Sequence, residues 1–123
     1  MEQHINPPSP ENIMKIGTGF WASKILLTAV SFKLFTRLAE KKSMKAKDVK
    51  DILGLKCTDR NVYDFLDALT AFNFLNREGL LETAQYGNTE STALFLDKNK
   101  PTYIGGLLEM LNSRLYGFWA NLE

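Results

Sequence analysis

Few side chains in this sequence have the chemistry and the spacing that a catalytic or metal site requires. His4 is the only histidine and lies in a polar, proline-rich stretch, so neither a histidine-based triad nor a multi-histidine metal site can form. Cys57 is the only cysteine and has no histidine near it in sequence, which favours a structural or incidental thiol over a nucleophile. Asp64 and Asp67 have the i, i+3 spacing of an acid–base pair, but a solvated helix face explains them better. These residues predict no catalytic centre within the chain itself.

Motifs that bind nucleotides or phosphates are also missing from the sequence. It contains neither G-x-G-x-x-G nor G-x-x-x-x-G-K-[ST]. Gly17-Thr-Gly19 and Gly105-Gly106 are too short to cradle phosphates, and they favour close contacts between helices instead. We therefore expect this chain to bind no cofactor and no metal by itself. Whether a longer parent protein is an enzyme stays open at this point.

Length and composition indicate one small domain. A chain of 123 residues with 45% hydrophobic residues can bury roughly two-thirds of the surface that its unfolded form exposes. Its net charge of +1 provides no general attraction to nucleic acids or acidic membranes. A single cysteine cannot form an internal disulfide, which fits a reducing compartment. The N-terminal stretch is not signal-like, and no apolar run approaches the roughly 18 residues of a membrane span. We expect a soluble, cytoplasmic protein without a membrane partner.

The chain divides into an extended arm over residues 1–10 and a mainly helical body over residues 11–123. Ser9-Pro10-Glu11 predicts a helix start, because serine caps helices, proline fits the first position and an acid favours the first turn. Gly17 and Gly19 weaken the helix that follows, so we expect a break there.

The other elements follow from caps, turn residues and periodicity. A helix over residues 25–38 is predicted to be buried on several sides, because its apolar side chains occur almost all around the axis. The rest are a helix over 46–53 stopped by Gly54, a helix over 58–72 capped by Thr58, a hairpin with strands 74–77 and 80–86, a helix over 89–94 started by Thr89, and a terminal helix capped by Thr102. The pattern predicts a mainly α fold with a small β-hairpin.

The terminal segment over residues 103–123 carries a wide apolar face. At about 100° per residue, one side of a helix collects Ile104, Leu107, Leu108, Leu111, Leu115, Phe118, Trp119 and Leu122. Tyr103 and Met110 widen this arc towards half of the cylinder. We expect another chain or a second domain to cover it.

The order helix, short helix, longer helix and hairpin is that of a winged-helix unit, which many unrelated functions share. One such function is DNA binding through the helix over residues 58–72. That helix carries Asp59, Asp64 and Asp67 against Arg60, so its surface would repel phosphates. Basic residues cluster instead between residues 33 and 56, where a solvated face is a simpler interpretation than an anionic partner. A DNA-binding regulator is the weakest alternative, and we expect no nucleic-acid partner.

Several segments occur in the order found in one enzyme family. They are Gly19-Phe-Trp-Ala-Ser-Lys-Ile-Leu-Leu-Thr-Ala-Val, Leu34-Phe-Thr-Arg-Leu-Ala39, Tyr63-Asp-Phe-Leu-Asp-Ala-Leu-Thr-Ala-Phe-Asn-Phe-Leu75, Tyr86-Gly-Asn-Thr-Glu-Ser-Thr-Ala-Leu-Phe-Leu96 and Tyr116-Gly-Phe-Trp-Ala-Asn-Leu122. Together they resemble the N-terminal part of small-molecule O-methyltransferases that use S-adenosylmethionine. The family includes plant phenolic methyltransferases, the methyltransferase of melatonin synthesis and bacterial enzymes of pigment and antibiotic pathways.

The resemblance implies a winged-helix-like domain whose role is dimerisation. In this family the first helices of two subunits intertwine, and the domain helps to close the partner's substrate pocket. S-adenosylmethionine and the catalytic base belong to a Rossmann-like domain further along, which this sequence lacks, so the cofactor is expected only of a full-length parent. Two positions depart from the family pattern. Lys45 stands where Ser or Thr often caps a helix, and Asn73 stands where Gly is common, although asparagine tolerates the positive φ expected there.

The resemblance and the apolar pattern together give candidate site residues. The candidates for the dimer interface are Phe20, Trp21, Ile25, Leu26 and Val30. The candidates for a substrate pocket on the terminal helix are Met110, Leu111, Arg114 and Trp119. For the three apolar pocket candidates, packing within the fold is the simpler explanation. Arg114 is more simply a rim residue that keeps its charge in water than a partner for a carboxylate.

We therefore predict the dimerisation module of an O-methyltransferase, which forms a homodimer and is not catalytic alone. The alternative is a free-standing interaction or scaffold protein derived from that domain. In either case a catalytic domain or a partner chain would cover the terminal helix. The methyl acceptor is not predictable from these residues.

Overall fold

The computed structural model describes residues 7–122. The predicted arm lies partly outside this range, and so does His4. Eight helices and three short strands follow one another along the described chain. They are α1 (Glu11–Gly17), α2 (Gly19–Ser31), α3 (Leu34–Lys41), β1 (Met44–Lys45), α4 (Ala46–Leu53), α5 (Asp59–Ala71), β2 (Leu75–Glu78), β3 (Gln85–Asn88), α6 (Glu90–Phe95), α7 (Gly105–Met110) and α8 (Tyr116–Ala120). A π-helical turn, Leu111–Leu115, joins α7 to α8. The prediction of a mainly α fold is confirmed.

The break expected near the first glycines occurs at Thr18. Its backbone N–H and its hydroxyl both donate to the carbonyl oxygen of Met14, at 3.0 Å and 2.7 Å. These two hydrogen bonds satisfy the Met14 carbonyl oxygen at the end of α1, and α2 begins with the next residue. Helix α1 begins at Glu11, one residue later than the predicted start, and the Ser9 hydroxyl oxygen accepts the N–H of Glu11 at 3.1 Å.

The single helix predicted over residues 25–38 is wrong, because two helices cover this segment. The chain turns at Lys33, which adopts a left-handed conformation with φ 60°. This turn lets Leu34, Phe35 and Leu38 of α3 face the core together with the inner residues of α2. The apolar side chains that were predicted to surround one helix axis therefore belong to the inner faces of two separate helices.

Helices α4 and α5 form as predicted. Gly54 ends α4 in the left-handed conformation, with φ 65°. The Thr58 hydroxyl oxygen accepts the N–H of Asn61 at 3.2 Å and caps α5. Asn73 adopts φ 64°, so this position has the positive φ that the family comparison led us to expect.

The predicted hairpin is part of a three-stranded antiparallel sheet with the strand order β1-β3-β2. Arg77 of β2 pairs with Tyr86 of β3, while Met44 of β1 pairs with Tyr86 from the other side. Strand β3 begins later than predicted, because Leu81–Thr83 form a short 3₁₀ turn in which Leu81 has φ 54°. Strand β1 has only two residues, too few to show an alternating pattern in the sequence.

The core lies between α2, α3, α4, α5 and the sheet. Its fully buried large side chains are Leu34, Phe35, Leu38, Val49, Val62, Leu66, Leu69, Leu75 and Tyr86. Helix α2 crosses this core and also packs against α7 and the π turn. The fold therefore places the terminal segment beside α2.

The start of the terminal helix differs from the prediction. Thr102 does not cap it, because the Thr102 hydroxyl donates to the carbonyl oxygen of Leu94 and the helix begins at Gly105. Thr89 does cap α6 as predicted, through a reciprocal pair of bonds with Thr92. The Thr102 hydroxyl instead ties the loop after α6 back onto that helix.

Gly87 is expected to be essential for the contact between β3 and the turn before β1. A Cβ added at Gly87 would lie 2.8 Å from the carbonyl oxygen of Lys42, which sits in a tight turn with φ 67°. Gly87→Ala should lower the free energy of unfolding by about 1–3 kcal/mol in urea denaturation. Gly106→Ala is the control, because its added Cβ meets nothing within 4 Å. Equal stabilities of the two variants would contradict this account.

Candidate functional site

Helices α1 and α2 present a row of exposed apolar side chains, which we call the N-terminal apolar face. It consists of Ile13, Met14, Ile16, Phe20 and Trp21. Ile13 is 72% exposed and Trp21 is 59% exposed, although both are large apolar residues. The rings of Phe20 and Trp21 contact each other, with centroids 5.3 Å apart. Large exposed apolar patches are rare on monomeric soluble proteins and are typical of interaction surfaces.

Two of the five predicted interface residues, Phe20 and Trp21, lie on the N-terminal apolar face. Ile25 and Leu26 are half-buried and pack against the core of the same chain. Val30 is only 3% exposed and lies inside that core in the single chain. Its position follows from the turn at Lys33, which folds α3 back over the end of α2.

The terminal segment presents a second apolar surface, but not the single face that a regular α-helix predicts. The π turn at Leu111–Leu115 adds a residue to one turn and rotates everything after it by about 100°. Leu108 packs against the core, while Leu107 before the turn and Phe118 and Trp119 after it stay exposed. Within residues 7–122, these three side chains are 60% to 76% exposed.

A groove of about 570 Å³ lies between α2 and the terminal segment. Its lining is mostly apolar and aromatic: Phe20, Ser23, Leu27, Leu111, Leu115, Tyr116, Trp119 and Ala120. Small-molecule pockets usually have volumes of about 300–1,000 Å³, and the volume of this groove lies within that range. The groove shares Phe20 with the N-terminal apolar face, so the two surfaces are continuous.

Two of the four predicted pocket residues, Leu111 and Trp119, line this groove. Met110 and Arg114 do not line it; Met110 is half-buried and Arg114 is exposed. Helical spacing accounts for this division, because at about 100° per residue Met110 and Arg114 point to a different side of the helix from Leu111 and Trp119.

One edge of the groove is polar and was not predicted. The Lys24 ammonium donates to the side-chain oxygen of Asn112 at 2.6 Å and lies 4.8 Å from the centre of the Tyr116 ring. A cation over an aromatic ring is attracted by the electrons of its face. The sequence signal was a single lysine between Trp21 and Ile25 in an otherwise apolar helix.

A separate polar cluster lies between α5 and the sheet. The Tyr86 hydroxyl donates to a carboxylate oxygen of Asp67 at 2.6 Å, and the Arg77 guanidinium donates to the same oxygen at 2.9 Å. Burial, together with the Asp67 carboxylate, raises the pKa of Tyr86 to about 12. Asp67 therefore ties the sheet to α5, and the acid–base interpretation of Asp64 and Asp67 has no support in this geometry.

Tyr86→Phe is expected to lower the free energy of unfolding by about 1–3 kcal/mol at neutral pH, because Asp67 loses a buried donor. The raised pKa means that the contribution of Tyr86 is complete below about pH 10 and is lost as the pH rises towards 12. The stability difference between wild type and variant should therefore shrink across that range in denaturation series. Tyr63→Phe is the control, since its hydroxyl makes no hydrogen bond within residues 7–122. A constant difference up to pH 12 would contradict the assignment.

Helices α1 and α2 together form a span of 21 residues, Glu11–Ser31, with a mean hydropathy of 1.2 and 17% of its apolar window buried. By length and composition this span could cross a membrane, contrary to the sequence expectation. The sequence expectation rested on uninterrupted apolar runs, none of which approaches about 18 residues. A core helix of a soluble protein and a signal sequence pass the same test of length and composition.

Comparison with known proteins gives three findings. Residues 14–98 match the family model of the O-methyltransferase dimerisation domain. The chain is 34% identical over 122 residues to the tetracenomycin polyketide synthesis 8-O-methyl transferase TcmO of Streptomyces glaucescens, covering 99% of this chain and 34% of the relative. It is 31% identical over 105 residues to the S-adenosyl-L-methionine-dependent methyl transferase PigF of a Serratia strain, covering 85% of this chain and 28% of the relative. The chain thus spans about a third of the length of these relatives.

Solved structures share the same fold. Human N-acetylserotonin methyltransferase in complex with SAM matches 98% of this chain and 35% of its own, with a TM-score of 0.83 and 21% identity. PigF with SAH matches 94% of this chain and 36% of its own, with a TM-score of 0.79 and 25% identity. In both cases the matched part is about a third of the larger protein.

Proposed function

Because this chain belongs to the O-methyltransferase dimerisation domain family, we propose that it joins two copies of itself through the N-terminal apolar face. The observation that carries this proposal is the exposure of Ile13, Ile16, Phe20 and Trp21 side by side on α1 and α2. Burial of such side chains contributes about 25 cal/mol for each Å² of apolar surface removed from water. A second copy offers the same apolar face, as a twofold interface requires.

We propose further that the first helices of the two copies intertwine. In the same proposal, α4, α5, β2 and β3 form a winged-helix-like unit. We assign residues 1–10 to an arm and residues 11–123 to one dimerisation domain. In a longer parent protein a catalytic domain would bind S-adenosylmethionine, and the groove beside α2 would form part of the wall of a substrate pocket. Support comes from the relatives, which are methyltransferases about three times as long as this chain. The residues of this chain would bind and orient a substrate rather than react with it.

A protein partner explains the apolar face better than a membrane does. Lys15 and Lys24 interrupt the window Glu11–Ser31, and a break at Thr18 separates its two helices. A charged side chain at the centre of a bilayer costs about 2.5–3.5 kcal/mol on insertion scales. We place the protein in the cytoplasm, because its single cysteine fits a reducing compartment. No observation favours a scaffold protein or a DNA-binding regulator over this proposal.

Mixing two labelled pools of the chain tests self-association directly. Cys57 is exposed and is the only cysteine, so one pool can carry a donor dye there and the other an acceptor. Energy transfer should develop after mixing and disappear on dilution with unlabelled chain. Flotation with neutral phosphatidylcholine vesicles is the second arm. Absence of transfer, or flotation with the vesicles, would contradict the proposal.

A further inference from the structure

Charge is distributed unevenly along this chain. Residues 33–56 contain eight basic and three acidic side chains, whereas the remaining residues contain seven basic and eleven acidic ones. The overall net charge of +1 therefore combines a positive region with a negative remainder. In the sequence alone, a solvated face is enough to explain the positive region. The fold decides whether its lysines form one surface.

Four of these lysines lie around strand β1, and we call them the basic surface. They are Lys41, Lys42, Lys45 and Lys47, and all four are exposed. Lys45 and Lys47 line a cleft of about 390 Å³. Lys41 lines a second cleft, and Lys42 lines a third that shares Ser43 with the second. Because each cleft also has a lining residue in common with the next one, the four lysines surround one continuous patch.

The basic surface makes no ion pair within residues 7–122. None of its four ammonium groups has a carboxylate oxygen within 4.0 Å; the four ion pairs of the described chain involve Arg37, Lys50, Arg77 and Lys98. Lys50 lies next to the basic surface on α4 and is paired with Asp59 at 2.9 Å. The lysines of the basic surface therefore keep their hydrogen-bond donors for acceptors from another molecule.

The backbone at Lys42 holds part of the basic surface in place. The carbonyl oxygen of Lys41 accepts the N–H of Ser43 at 2.8 Å, and Lys42 has φ 67° and ψ −51°. This is the geometry of a γ-turn, which is rare and strained in proteins. The Ser43 hydroxyl donates to the side-chain oxygen of Gln85 at 2.9 Å, and Gly87 packs against the Lys42 carbonyl. A surface that is held in this way loses little backbone freedom when it binds a partner.

We infer that the basic surface binds a short acidic segment of a partner protein, whose carboxylates accept hydrogen bonds from its lysines. Complementary charges of this kind select a partner and speed its association. None of the four lysines belongs to the N-terminal apolar face or lines the groove beside α2. Binding of the acidic segment therefore leaves both of those surfaces free.

The acidic residues around the patch favour a protein segment over a nucleic acid or a bilayer. Asp48 and Asp51 share a cleft with Lys41, while Glu78 and Glu82 line the other two clefts. A DNA duplex or an anionic bilayer extends beyond the patch, so its phosphates would meet these carboxylates. A protein segment can place its own carboxylates opposite the lysines and end where the patch ends.

A matched pair of peptides tests the role of charge. We would titrate the 123-residue chain into a fluorescein-labelled octapeptide of alternating Glu and Ala, and into its neutral counterpart of alternating Gln and Ala, and follow fluorescence anisotropy. The acidic peptide should bind at least about 10-fold more tightly than the neutral one at low salt. Raising the sodium chloride concentration from about 25 mM to about 300 mM should weaken its binding at least about 5-fold, because these charges are exposed to solvent.

Variants of one lysine test whether the peptide binds at the basic surface. Lys47→Glu should weaken binding of the acidic peptide about 5-fold, and Lys47→Arg should retain it. An acid in the first turn of α4 suits the helix dipole, so Lys47→Glu should stay folded. Lys100→Glu is the matched control, because it changes the net charge equally at an exposed lysine in the loop between α6 and α7. It should change the affinity less than about 2-fold.

Three outcomes would overturn the inference. They are equal effects of Lys47→Glu and Lys100→Glu, equal binding of the acidic and neutral peptides, and tighter binding of a short DNA duplex or of phosphatidylserine vesicles than of the acidic peptide. Energy transfer between Cys57-labelled chains reports on self-association and is measured without any peptide, so a failed inference and a failed dimer give different results.

Discussion

Trp21→Asp should convert the dimer into a monomer. Trp21 is exposed in the single chain and contacts Phe20 on the N-terminal apolar face. In a dimer the substitution removes a large aromatic contact and places an unpaired carboxylate in an apolar interface. The dimer dissociation constant should rise at least about 100-fold, which corresponds to a loss of about 2.7 kcal/mol. Sedimentation equilibrium over a concentration series measures this change.

Leu80→Asp is the matched control for this experiment. Leu80 is 70% exposed, but it lies in the hairpin, away from α1 and α2. Its substitution should leave the dissociation constant within about 2-fold of the wild-type value, as is usual for surface changes outside an interface. If both variants dissociate equally, or neither does, the N-terminal apolar face is not the interface.

Phe35→Ala should cause the largest loss of fold stability among single substitutions in the core of α3. Phe35 is 1% exposed, and removing its ring leaves a cavity between α3 and the sheet. Such substitutions cost about 3–5 kcal/mol. Urea denaturation should be carried out at several protein concentrations, because a dimer gains apparent stability with concentration.

Phe72→Ala provides the comparison, because Phe72 is 43% exposed and lies at the end of α5. Its loss should cost less than half as much as the loss of Phe35. Comparable losses of unfolding free energy in the two variants would contradict the placement of the Phe35 ring in the core. The Asn88 side chain donates to the Phe35 carbonyl oxygen at 2.8 Å, a contact that Phe35→Ala retains. The measured difference therefore reports on packing of the ring.

The elements that the sequence predicted well are those with a local chemical signal. Gly54 ends α4, and Thr58 and Thr89 cap the helices that follow them, as predicted. Each of these signals depends on one side chain and its own backbone, so no tertiary contact is needed to interpret it.

The elements that the sequence missed depend on contacts between distant segments. Lys33 is an ordinary lysine in a left-handed conformation, and nothing in its type indicates a turn. Strand β1 exists because Met44 pairs with Tyr86 of β3, far along the chain. The π turn likewise interrupts a segment whose apolar spacing fits a regular α-helix.

The same distinction holds for the candidate site. Phe20, Trp21, Leu111 and Trp119 were identified from apolar periodicity and from family resemblance, and the structure places them on the apolar face or in the groove. Lys24 was missed, because its meaning depends on Asn112 and Tyr116 from the other end of the chain. Periodicity identifies a face, whereas a binding site also requires knowledge of what lies opposite that face.

The most direct test of the central claim is the mass of the chain in solution. Light scattering after size exclusion at ~50 µM should give twice the 14.0 kDa of one chain, since a stable dimer of this kind has a dissociation constant of about 1 µM or lower. The mass should fall to that of one chain in the Trp21→Asp variant. A wild-type mass of 14.0 kDa under these conditions would contradict the account.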